Sequence, residues 1–88
     1  MKSVSISING RVQGVSFRYY ALQQARLHHL RGYVKNMPDG SVYMEAEGED
    51  EPLDSFVQWC HNGPPWANVE TIEVTEQKLK NFNGFTIR

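Results

Sequence analysis

Ser3-Val4-Ser5-Ile6-Ser7-Ile8-Asn9, running directly into Gly10-Arg11-Val12-Gln13-Gly14-Val15-Ser16-Phe17-Arg18, organises the rest of the chain. Val4, Ile6 and Ile8 alternate with serines, the period-2 pattern of a strand with one buried face. From Phe17 the apolar positions move to Ala21, Ala25 and His28, spacings of four, four and three, which predict a helix ending before Gly32. Between the two lies a turn with glycines at 10 and 14, flexible enough to curl around a small oxyanion. At the start of a helix, unpaired N–H groups point outward with the positive end of the peptide dipoles. Arg18 adds a planar fork of donors in the first helical turn, a place poorly matched to the dipole unless an anion neutralises it.

Further along, residues 32–36 read as a second strand, and Met37-Pro38-Asp39-Gly40 as a turn in which Pro presets φ, Asp bonds nearby backbone and Gly tolerates positive φ. Val42, Met44 and Ala46 then face one way, and Tyr43, Glu45 and Glu47 the other. Leu53, Phe56, Val57 and Cys60 stand at i, i+3, i+4 and i+7, one stripe of a second helix, with Asp50 as its expected N-cap and Pro52 in its first turn. After the Gly63-Pro64-Pro65 break, Ile72 and Val74 suggest a fourth strand, and Phe85 with Ile87 a short last one. The order βαββαβ is that of an α+β ferredoxin-like sandwich, an antiparallel sheet with both helices on one face. In the β–α–β unit, strands one and two run parallel, so their C-terminal ends share one sheet edge. Arg18 and Asn36 are thereby expected to face one small ligand.

Composition sets limits on function. A chain of 88 residues reads as a single domain, 1–88. Nine basic against ten acidic side chains give a net charge of −1, too little to hold nucleic acid or an anionic membrane. One cysteine, Cys60, excludes an internal disulfide and sits on the apolar stripe as a small core residue. No signal peptide and no bilayer-length apolar run is read, so a cytoplasmic location is expected. His28 and His29 are adjacent and diverge on a helix, and His61 has only Cys60 beside it, so neither a metal nor another cofactor is expected. Glu45, Glu47, Glu49, Asp50, Glu51 and Asp54 fall on the alternate side of a strand and in the first turn of a helix, where they are expected to be solvated. Trp59 and Trp66 are read as packing groups; the pattern does not place Trp66 relative to the cradle.

Two motifs sharpen the reading. Gly-x-Val-Gln-Gly-Val-x-Phe-Arg at 10–18, and Gly-aromatic-Val-Lys-Asn-x3-Gly-x-Val-x5-Gly at 32–48, together resemble the paired signatures of the acylphosphatase family, small hydrolases of carboxyl–phosphate mixed anhydrides. Gly63-Pro64 with Ala67 and Val69 is similar to the family's connection into its fourth strand. One departure stands out: His28-His29 replaces the usual closing leucine and glycine, which would put His29 in a left-handed C-terminal position. The resemblance implies a monomeric acylphosphatase acting on a small-molecule acyl phosphate. By itself Asn36 reads as turn chemistry. The resemblance makes it the residue that orients water, while Arg18 and the N–H groups of Gln13, Gly14, Val15, Ser16, Phe17 and Arg18 hold the phosphoryl group.

The chemistry fits that division. A carboxylate leaving group has a conjugate acid of pKa ~4 and departs without a general acid, so the reaction needs charge stabilisation and an in-line water rather than an acid–base pair. Two other classes compete. An RNA-recognition module shares this fold, but Val34-Lys35-Asn36 lacks the second aromatic of its stacking motif, and the chain has no basic excess. The other is a non-catalytic anion-binding module of the kind fused to larger carbamoyl-transfer maturation proteins; an acyl phosphate hydrolysis assay separates all three.

Overall fold

The computed structural model describes residues 1–88. Its elements are β1 (Lys2–Arg11), α1 (Phe17–Leu27), β2 (Arg31–Asn36), β3 (Val42–Gly48), α2 (Asp50–Cys60), β4 (Asn68–Gln77) and β5 (Phe85–Ile87). The sheet order is β4-β1-β3-β2-β5. β3 is antiparallel to both β1 and β2, so those two run the same way and end at one edge. The four long strands form the expected antiparallel ferredoxin-like sheet, and β5 joins β2 in parallel, which makes the whole sheet mixed. That pairing depends on where the chain returns after β4, which strand periodicity does not encode.

One face carries the core. Register aligns Ile6 with Met44 and Met44 with Val34, and these side chains meet Phe17, Ala21 and Ala25 of α1 and Leu53, Phe56 and Cys60 of α2, all essentially without exposure. Burying Phe17 and Phe56 contributes roughly 2–3 kcal/mol each. Gly63 is required where it stands: its φ is +66°, and a Cβ there would run into the Phe17 ring. His28 is only half-buried, and Leu30 fills the place beyond the helix instead. His29 does adopt φ 57°, in a Schellman ending where the N–H of Leu30 donates to Ala25 O at 2.8 Å and that of His29 to Arg26 O at 3.1 Å. The N-cap of α2 is Glu49 rather than Asp50, and Asp50 and Glu51 occupy the acidic first turn.

The opposite face overturns one expectation. Glu45 and Glu47 are 6% and 0% exposed, not solvated. The segment after β4, residues 78–84, lies over them as a strap. Glu47 accepts the N–H of Lys80 on Oε1 and that of Phe82 on Oε2, each at 2.9 Å. Glu45 accepts from the Tyr33 and Tyr43 hydroxyls and from Gln77 Nε2, and pairs with Lys80 Nζ at 2.7 Å. Burial pushes both carboxyls up, but these donors outweigh it: Glu45 is held at about 2 and Glu47 below the usual carboxylate range. Phe82 meets the Tyr33 ring edge-on at 5.8 Å, and the Arg88 guanidinium lies 3.9 Å above it.

Candidate active site

At the common end of β1 and β2 the chain forms its one pocket, of about 390 Å³. Val12, Gly14, Ser16, Phe17, Arg18 and Tyr19 line one side, with Asn36 and Ile87 closing it. The turn leading into α1 is built by two left-handed residues, Gly14 at φ 73° and Ser16 at φ 61°, separated by Val15. Alternating handedness of this kind turns successive N–H groups toward one point, an anion-binding concavity. Gly14 would hold a Cβ without collision, so the need there is conformational. Ser16 is the N-cap and its hydroxyl caps nothing; its contribution is the backbone angle.

The donors are free. The first helical amide with an acceptor is that of Tyr20, bonded to Ser16 O at 3.1 Å, and the N–H groups of Gly14 through Tyr19 have none within the chain. No acidic side chain occupies the first turn of α1, and Arg18 takes part in no ion pair. Its charge and the helix dipole therefore add, an arrangement that repels cations and favours an oxyanion.

Asn36 reaches the pocket from the last position of β2. Its Oδ1 is buried and without a hydrogen-bond partner, the only such side-chain atom in the chain. An unpaired buried amide oxygen costs roughly 1–3 kcal/mol, and this one belongs to a residue that lines the same pocket as Arg18. The turn beside it is rigid: Ser41 donates its N–H and Oγ–H to Asp39 Oδ1, and Met37 N–H bonds Ser41 O at 2.8 Å. Gln13 ties the two motifs together, its Nε2 donating to Met37 O at 2.8 Å and Ser41 O at 2.9 Å.

Of the residues expected in the cradle, Gly14, Ser16, Phe17 and Arg18 line the pocket with Asn36, whereas Gln13 and Val15 do not. Val15 is buried and its carbonyl accepts the indole N–H of Trp66. Trp66, which the sequence pattern leaves unplaced, thus pins the cradle from the far side. Tyr19 and Ile87 also escape a sequence reading: Tyr19 has only its place after Arg18 as a signal, and Ile87 depends on the parallel seat of β5. Cys60 is buried in the core and does not line the pocket, its thiol pushed up by desolvation. His61 Nδ1 lies 2.9 Å from Val57 O, and no group of three or more His, Cys, Asp or Glu is placed to hold a metal.

A βαββαβ sandwich whose parallel strand ends carry an amide cradle, an unpaired arginine and an orphaned asparagine oxygen defines a small oxyanion-handling α+β domain. The acylphosphatase family model matches residues 4–87. The acylphosphatase of Archaeoglobus fulgidus is 42% identical over 87 residues, covering 99% of this chain and 98% of that one. Among solved structures, the acylphosphatase from Bacillus subtilis superposes with a TM-score of 0.97 at 43% identity, over 100% of this chain and 99% of that one. Full-length HypF in its phosphate- and nucleotide-bound form also aligns, at TM-score 0.89 and 29% identity, over 99% of this chain but 12% of that one. The chain belongs to the acylphosphatase family, enzymes that hydrolyse acyl phosphates.

Proposed function

We propose that this chain hydrolyses the carboxyl–phosphate bond of acyl phosphates with Arg18 and the N–H groups of Gly14 to Arg18 binding the phosphoryl group and Asn36 orienting the attacking water. It acts as a monomer, without a metal. The observation that carries this division of labour is the buried, unpartnered Oδ1 of Asn36 in the same pocket as Arg18. That oxygen accepts a hydrogen bond from the water and thereby aims the water's lone pair at phosphorus. Attack forms the new P–O bond as the bond to the acyl oxygen breaks; the carboxylate leaves with its electron pair, and the water's proton passes to a substrate oxygen. Asn36 is neutral and takes no proton. Arg18 and the cradle amides meet charge on the three equatorial oxygens, which is where phosphoryl transfer needs it.

Asn36→Ala tests the assignment. Turnover of benzoyl phosphate should fall about a hundredfold or more while KM and competitive inhibition by inorganic phosphate change little. Circular dichroism establishes that the variant is folded. Loss of phosphate affinity with kcat retained would make Asn36 a substrate-binding residue instead. A parent protein that binds phosphate but hydrolyses no acyl phosphate would favour the binding-module reading.

A further inference from the structure

The pocket changes character away from the cradle. Arg18 is the one charged side chain in its lining. Large apolar residues exposed singly on a surface need no explanation. Here, however, two of the seven such residues in the chain, Tyr19 at 53% and Ile87 at 41%, border the same pocket from different elements. The Tyr19 ring is also held in place. It stands edge-to-face on Tyr20 with centroids 5.3 Å apart, and Tyr20 stands edge-to-face on Trp66 at 5.5 Å. A volume of about 390 Å³ falls within the range of ~300–1,000 Å³ that suits organic ligands, so a phosphoryl group leaves space unfilled.

We propose that Tyr19 and Ile87 form the acyl subsite, selecting acyl phosphates with an uncharged, apolar and preferably flat acyl group. The inference rests on the reading that Arg18 and the cradle amides take the phosphoryl end. With that end fixed, the acyl group projects from the cradle between a tyrosine face and an aliphatic side chain. An acyl group bearing a second anion would meet a wall with no cation to spare. An aromatic one gains ring contact, which in comparable pairs changes an equilibrium about three- to tenfold.

The test compares kcat/KM for benzoyl, acetyl and 4-carboxybenzoyl phosphate in the parent, Tyr19→Ser, Ile87→Ser and the double variant. The parent should favour benzoyl over 4-carboxybenzoyl phosphate at least about fivefold. The benzoyl-to-acetyl ratio, which cancels changes common to both substrates, should drop about tenfold in the double variant. Tyr19→Leu, which keeps an apolar wall, should lower that ratio only about threefold. Each variant's inhibition by inorganic phosphate reads the cradle separately. An unchanged ratio with phosphate still competitive overturns the subsite alone, as does a parent that prefers the carboxylated substrate. Failure of phosphate to compete in the parent overturns both the cradle and the subsite.

Discussion

Backbone amides do two different things in this fold: under the strap they bind a carboxylate of β3, and at the shared end of β1 and β2 they stand unpaired. Under the strap, the N–H groups of Lys80 and Phe82 close on the two oxygens of Glu47, a carboxylate the chain itself supplies. In the cradle, the N–H groups of Gly14 through Tyr19 have no acceptor from the chain, and Arg18, the one charged residue lining the pocket, is in no ion pair. The same elementary interaction therefore gives structure where it is complete and a site where it is left open. In both places a left-handed non-glycine residue sets the backbone, Asn81 in the strap and Ser16 in the cradle.

Removing the cation from the open position should have the largest effect. Arg18→Gln leaves the amides in place but takes away the charge proposed to face the phosphoryl group in ground state and transition state alike. Steady-state kinetics should show kcat down by at least about a hundredfold, with weaker phosphate inhibition and little change in melting temperature. Near-normal kinetics in the folded variant would sink the role assigned to Arg18.

Emptying the closed position should do the reverse. Glu47→Ala strands two amides and releases the strap, a loss of about 2–4 kcal/mol in urea unfolding, while activity per folded molecule is retained. The acid limb carries the same signature. Glu45 and Glu47 both have folded pKa values depressed below their unfolded ones, so their stabilisation is present above the unfolded carboxylate pKa of ~4.3 and is lost as pH falls through the folded values, about 2 for Glu45. Glu47→Gln should be less stable at pH 7 and lose less on acidification than the parent. A parallel acid limb in both proteins would deny Glu47 that share.

This contrast also marks what was legible in the sequence. The strand alternation, the second helix's stripe and the turn chemistry at Asp39 are local patterns that appear where they were read, and the first helix's stripe does so through Ala25, with His28 falling beyond α1 and only half-buried. The meeting of Arg18 and Asn36 follows from topology, because parallel strands share an end. Burial of Glu45 and Glu47 was not legible: alternation reports that they leave the core face, and only the return of residues 78–84 covers them. Ile87 in the pocket and Trp66 against Val15 are likewise contacts between segments far apart in the chain.

Trp66 probes how much rigidity the cradle needs. Trp66→Phe keeps a ring against Tyr20 but loses the donor to Val15 O. One hydrogen bond is worth about 0.5–1.5 kcal/mol, so kcat/KM should fall about two- to tenfold, mostly through KM as the loop loosens. An effect on kcat alone would mean that Trp66 acts on chemistry and not on loop position.

The smallest effect separates backbone shape from side chain at Ser16. Holding an L-residue in the left-handed region costs roughly 1–2 kcal/mol, and glycine removes that strain while adding about 0.4–1 kcal/mol of unfolded-chain entropy. Ser16→Gly should therefore stabilise by up to about 1 kcal/mol, and so should His29→Gly, whose φ of 57° ends α1 away from the pocket. Phosphate affinity should stay within about threefold in both, because the Ser16 hydroxyl caps nothing. Ser16→Val is the discriminating partner, since a β-branched residue fits the left-handed region poorly and must turn the Ser16–Phe17 amides away. Isothermal titration with phosphate should show Ser16→Val weakened about tenfold or more while His29→Val loses stability only. If both valine variants keep their phosphate affinity, the cradle does not depend on its left-handed residue, and the parallel with Asn81 in the strap is geometric coincidence.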